Sequence, residues 1–178
     1  HVFGMFQDSF NEGYWHNIPN RVGYQRLWND QGRAQFRINA LGFRGPEMSV
    51  EKPAGTLRLL FLGDSITIGG RLPEDVIFVT RVARALVPKD GVRYEVANAG
   101  VGDVGLYEEE RTLQTAGLKT HPDLVVLCWY LNDARPAVGF PDEVVFKDPV
   151  VRWFNRQGWL RQSHLAGFIY ERARQAAV

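Results

Sequence analysis

"LRLLFLGDSITIGG", residues 57–70, is the stretch on which the reading of the chain turns. "LRLLFL" is a short β-type apolar run closed by Gly63. Being apolar on both faces, it suits a central strand of a parallel sheet. The chain then has to turn at "GDS" (63–65), and Ser65 stands where a strand gives way to the next element.

Working outward, the period changes. Residues 73–87, "PEDVIFVTRVARALV", set Val76, Val79, Val82, Ala83 and Leu86 at helical spacing. Pro73 and the acids Glu74 and Asp75 suit a helix start. "RYEVANAG" (93–100) reads as a second strand. Residues 106–116 predict a shorter helix with Gly117 as its stop, and "PDLVVLCWYL" (122–131) a third strand, again apolar on both faces. Strand, helix, strand, helix, strand argues for right-handed βαβ crossovers and a parallel sheet covered on both faces. The expectation is an α/β, three-layer, flavodoxin-like core over residues 51–150 with strand order 2-1-3.

The flanks differ. Residues 1–50 hold nine of the 22 aromatics, are punctuated by Gly, Pro and Asn, and offer one short strand candidate, "QFRINA". They read as an irregular aromatic arm laid on a core. Residues 151–178 carry five Arg against one Glu, net +4, among Trp153, Phe154, Trp159, Leu160, Leu165, Phe168 and Ile169. They read as a helical tail that packs on its own domain, or docks on a protein partner or an anionic membrane surface.

The totals bound the rest. At 178 residues, 45% hydrophobic and 23% charged, the chain is long enough for one domain with a sizeable core. A net charge of +1 predicts no nucleic-acid partner. Cys128, the single cysteine, reads as a small core residue. No apolar run reaches the ~18 residues of a membrane span, and no charged-then-apolar leader is present. The chain starts at His1, which leaves room for a signal or anchor upstream.

Sites in open parallel sheets form where strands end and loops begin. "GDS" (63–65), "NAGVGD" (98–103) and "ND" (132–133) follow the three strands and should share one sheet edge. "LGDSIT", with "NAGV" and "LND" in order behind it, resembles the SGNH, or GDSL-like, hydrolases. The lead-in "RINALGFRGPE" is similar to the same segment of bacterial extracytoplasmic members. The resemblance implies Ser65 as nucleophile, a backbone N–H of Gly100 or Gly102 as oxyanion donor and the Asn132 side chain as a second donor. It also implies an Asp-x-x-His block near the C-terminus and an extracytoplasmic, periplasmic or membrane-associated setting. Asn132 reads equally well as a strand-end cap. Asp64 reads as a local acceptor steadying the turn, and Asp133 as structural.

Two departures from the family pattern stand out. Asn-x-Gly-x-x-Gly becomes Asn98-Ala99-Gly100-Val101-Gly102-Asp103, which puts an acid where the second glycine belongs. No Asp-x-x-His occurs in the chain. His1 and His16 lie in the arm, and His121 starts the third strand, a strand length from Ser65. His164 remains as candidate base, with Arg161 where the motif has Asp. A sheet of three strands also leaves an apolar edge that needs cover. The expectation is therefore an SGNH-derived accessory subunit, catalytically inactive, docked into a larger assembly through arm and tail. The alternative is an acyl or O-acetyl ester hydrolase whose Asp and His lie in a C-terminal part absent from the chain. No spacing points to a metal, cofactor or phosphate-binding loop.

Overall fold

A computed structural model describes residues 7–8, 14–29, 31–89 and 91–134. All belong to one compact unit, His1–Ala137. The tail at 151–178, and His164 with it, lies outside the described residues. The elements in chain order are β1 (Gln7–Asp8), β2 (His16–Asn17), β3 (Arg21–Arg26), β4 (Arg33–Ile38), β5 (Thr56–Gly63), α1 (Ser65–Ile68), α2 (Phe78–Ala85), β6 (Arg93–Asn98), α3 (Leu106–Thr112) and β7 (Leu124–Cys128).

β5, β6 and β7 form a parallel three-stranded sheet in the order β6-β5-β7. This is the expected 2-1-3 order, with the "LRLLFL" strand in the middle. Alternation along β5 divides its side chains between two cores. Leu60 and Leu62 join Phe43, Ala97 and Ala99 on one face, where Leu113 and Ala116 pack behind α3. Phe61 joins Ile77 and Val79 on the other, with Val82 of α2. Helical elements thus cover both faces, as two-sided apolar strands require.

The helices are shorter than their periodicity predicts. The run from Pro73 begins as a single turn, Glu74–Val76, and Ile77 is extended (ψ 135°) before α2 starts. Ile77 is 1% exposed, so burying it costs the helix its continuity. α3 ends at Thr112 and widens into a π-type turn, Leu113–Gly117, so Gly117 is not a simple stop.

The arm is not irregular throughout. β3 and β4 form an antiparallel hairpin with Arg21 opposite Ile38 and Arg26 opposite Arg33. β3 escapes sequence reading because its outward positions carry Val22 and Tyr24 while Gln25 is the buried one, the reverse of the usual alternation. Of the arm's aromatics, Tyr14, Phe36 and Phe43 are buried anchors, whereas Tyr24 and Trp28 are exposed.

Among the described residues β7 is an edge strand. Its start is fixed to β5 by a reciprocal pair: Asp123 N–H donates to Arg58 O (2.9 Å) and Arg58 N–H to Asp123 Oδ2 (2.7 Å). Arg58 itself is fully buried. Its guanidinium donates to Glu95 Oε2 (2.6 Å from Nη2), Val50 O (2.9 Å) and Thr120 O (2.5 Å). One side chain therefore ties β5, β6 and the approach to β7. Arg58→Ala strands the carbonyls of Val50 and Thr120 and the partly exposed Glu95 carboxylate, a change that costs about 2–3 kcal/mol. Urea titration should show a lower midpoint at unchanged slope. A loss below about 1 kcal/mol would refute the assignment.

Candidate active site at the carboxyl edge of the sheet

Ser65 is the first residue of α1, directly past the end of the central strand, and is half-buried. Gly63 has φ 154°, and a Cβ there would run into the Thr67 side chain. The first letter of "GDS" is thus a steric requirement. Asp64, 1% exposed, caps α1: its Oδ1 accepts from Ile66 N–H at 2.9 Å. Its Oδ2 lies 3.5 Å from Ser65 Oγ. The reading of Asp64 as a turn-steadying acceptor fits this geometry.

The far end of α1 is held by Arg44. Its guanidinium donates to the carbonyls of Ile68 (2.6 Å), Gly69 and Leu72 (2.7 Å) and stacks 4.3 Å over the Phe36 ring. Burial pushes Arg44 down to about 10, with Glu74 opposing, so it remains a cation at neutral pH. A cation at a helix C-terminus complements the exposed carbonyls there.

The loop after β6 is equally fastened. Ala99 N–H donates to Phe61 O (2.8 Å) and Val101 N–H to Gly63 O (3.0 Å), carrying the parallel ladder past the strand end. The Asn98 side chain donates to Thr67 O (2.8 Å) and accepts from Gly100 N–H (3.0 Å). Gly100 O accepts from Asn17 Nδ2 (2.9 Å). Both polar backbone groups of Gly100 are thereby engaged, and its N–H is not free for an oxyanion in this arrangement. The residue has to be glycine for another reason: a Cβ would overlap the backbone of Thr67 and Ile68. Gly102 is buried in the following turn, and Asp103 adopts left-handed backbone (φ 59°) with an exposed side chain.

The third cluster follows β7. Leu131–Ala134 form one turn that contains Asn132. Asp133, fully buried, closes it: Tyr130 N–H donates to its Oδ2 (2.5 Å), and its own N–H to Tyr130 O (2.9 Å). Parallel register sets Phe61 opposite Asn98 and Gly63 opposite Cys128. The loops that carry Ser65, Gly100 and Asn132 therefore leave the sheet along one edge, as expected.

An acidic group beneath this edge was not legible in the sequence, where "EEE" (108–110) reads as a solvated face. Glu108 and Glu109 are buried. Glu108 Oε2 accepts from Gly105 N–H (3.0 Å) and so caps α3. Both Glu109 oxygens and Asp133 Oδ1 are buried without a hydrogen-bond partner. Burial pushes Glu109 up to about 7, with Asp133, Asp64 and Glu108 adding to the rise. Burial also raises Asp133, against the Tyr130 hydrogen bond, and raises the Cys128 thiol.

Two histidines, His16 and His121, fall among the described residues. His16 sets Nδ1 3.0 Å from Asn17 O and its ring against Tyr14. His121 sits in left-handed backbone ahead of β7, at the edge opposite Ser65. Among the described residues no group of three His, Cys, Asp or Glu side chains could hold a metal ion, and no helix is long and apolar enough to cross a membrane. Compared with protein-family models and with curated proteins, the chain matches none.

Gly100→Ala tests the close approach directly. The clash falls on backbone rather than on a flexible side chain, so α1 and the loop must separate, at a cost of about 2–3 kcal/mol. Chemical denaturation should show the loss; a variant as stable as the parent would mean that the two segments are not in contact.

Proposed function

We propose that this chain carries the nucleophile side of a serine ester-hydrolase site of the SGNH kind, acting on an acyl or O-acetyl ester. The observation that supports it is the position of Ser65, on the first turn after the central strand, with the loops after β6 and β7 along the same edge. A hydroxyl presented at a strand-to-helix turn is exposed to substrate while its backbone is held rigid.

In this reading Ser65 Oγ attacks the acyl carbonyl carbon and gives its proton to a base. The resemblance assigns the tetrahedral oxyanion to a backbone N–H of the loop after β6 and to Asn132. The intermediate then collapses, the alcohol leaves with the proton held by the base, and water releases the acyl group. Asp64 and Arg44 hold the two ends of α1, so the nucleophile needs little rearrangement. The base comes from outside the described residues, and His164 is the candidate that the chain itself offers. The extracytoplasmic setting belongs to the same proposal and rests on the resemblance alone.

A second reading, an inactive accessory subunit in a larger assembly, draws on a different observation. Leu124, Leu127, Trp129, Tyr130 and Leu131 are all between 46% and 75% exposed, an apolar surface at the sheet's open edge.

Intact mass after treatment with a serine-directed fluorophosphonate separates the two. The hydrolase reading expects one adduct on Ser65, none on Ser65→Ala, and labelling slowed about 10²-fold in Asn132→Ala. An unlabelled parent chain would overturn it in favour of the accessory reading.

A further inference from the structure

The β3–β4 hairpin turns one face to the core and the other to solvent. Gly23 with Phe36 and Gln25 with Ala34 face inward, where Phe36 and Ile38 pack on Ile68 of α1. The outward pairs are Val22 with Arg37, Tyr24 with Gln35 and Arg26 with Arg33. Val22 is 60% and Tyr24 66% exposed, and Arg26, Arg33 and Gln35 are exposed as well. The outward face is thus a strip with two arginines side by side at the tip, a tyrosine in the middle and a third arginine at the far end. Arg33 and Arg37, four residues apart, set its length at roughly 13 Å.

The charge of the strip is one-sided. Residues 21–37 hold four arginines and one acid, Asp30. Glu74 lies 3.5 Å from Arg37. Arg71 brings a further cation to the tip, where its guanidinium donates to the carbonyls of Arg26 and Leu27, both at 3.0 Å. Five arginines against two acids leave a positive excess, whatever local partner each arginine has. The whole chain is close to neutral at net +1, so the excess is local.

Trp28 stands just beyond the tip and is 65% exposed. Its ring is nevertheless fixed. Nε1 donates to Gly70 O at 2.9 Å, and the Arg71 guanidinium lies over the ring, 4.5 Å from its centroid. With its N–H and one face engaged, the indole offers solvent its other face. A fixed, electron-rich aromatic face stacks on the apolar C–H face of a sugar ring. It is poorly placed to enter a bilayer, which takes a ring that projects. Gly70 is one helical turn and one step past Ser65, no more than about 10 Å between Cα atoms. A short oligosaccharide spans that separation.

We propose that the outward face of the hairpin, together with Trp28, binds an acidic polysaccharide. Sugar carboxylates meet Arg26, Arg33 and Arg37, and sugar rings stack on Tyr24 and Trp28. The planar guanidinium pairs with a carboxylate through two parallel bonds. Cations at both ends of a strip suit an extended chain better than a small anion. A nucleic acid calls for a broader positive field than a nearly neutral chain supplies. The inference rests on the hydrolase reading only for its consequence, that the bound glycan carries the acyl esters on its hydroxyls.

Calorimetric titration of the full chain with hexagalacturonate, and with maltohexaose as the neutral glycan, tests this. Neither carries an ester, so binding is read without turnover. The acidic hexasaccharide should bind, and the neutral one should not at the same concentration. Raising sodium chloride from about 50 to about 300 mM should weaken binding at least about fivefold. Arg26→Gln combined with Arg33→Gln should weaken it roughly tenfold, and Trp28→Ala by a similar factor. Arg81→Gln, at an exposed position of α2 outside the strip, should leave it unchanged. The double variant removes two like charges that face each other across the strands, so it carries the test if Trp28→Ala fails to fold. No binding of hexagalacturonate, equal binding of maltohexaose, or variants that bind like the parent would overturn the proposal. Tighter binding to phosphatidylglycerol vesicles or to a thymidine oligonucleotide would also overturn it, in favour of a membrane or a nucleic acid. Fluorophosphonate labelling keeps the two ideas apart. Glycan binding with Ser65 unlabelled sinks the hydrolase reading and leaves the glycan strip standing; labelling without glycan binding does the reverse.

Discussion

α1 is four residues long and cannot hold its shape by itself. Everything at the candidate site depends on how it is held from outside. Asp64 satisfies its leading N–H, Arg44 satisfies the carbonyls at its end, and the Asn98 side chain takes Thr67 O from the middle. Gly100 then lets the β6 loop lie directly on its backbone. These groups come from widely separated parts of the sequence and share one small volume. Removing any of them leaves buried backbone groups without partners, which the fold tolerates poorly. Arg44 ties the arm into this arrangement as well, since its own N–H donates to Asn98 O at 2.8 Å. The hairpin of β3 and β4 is therefore part of the scaffold for Ser65 and not an accessory laid over a finished core.

How much of this the sequence revealed follows from the range of each interaction. The strands were legible because apolar runs and glycine stops are local signals: "LRLLFL", "RYEVAN" and "LVVLC" each declare themselves in a handful of residues. The strand order and the common edge followed from the handedness of crossovers. The supports were not legible. Arg44 in "FRGPE" looks like a surface base until α1 arrives to receive it, and Asn98 looks like a strand-end turn residue until Thr67 is placed beside it. "EEE" misled for the same reason. Charge runs lie mostly in solvent, and only the packing of α3 over the strand ends puts Glu108 and Glu109 inside. β3 was missed because its alternation is inverted, with a buried glutamine whose Oε1 accepts Arg71 N–H at 2.8 Å.

The three loops of the site edge are not held with equal strength, and the difference shapes how the site can behave. The loops after β5 and β6 are cross-braced by side chains and by backbone bonds that extend the parallel ladder. Among the described residues β7 pairs on one side only, and much of its apolar surface, with Trp129, Tyr130 and Leu131 beyond it, is exposed. Its placement relies on pairing with β5, on the Asp123–Arg58 link at its start and on the Asp133–Tyr130 closure at its end. Few buried contacts make for a low local opening energy. The turn that contains Asn132 is therefore the most weakly held of the three. The same lack of packing makes β7 the strand whose position any covering surface would alter. Asp133 closes that turn with one carboxyl oxygen and leaves the other buried without a hydrogen-bond partner.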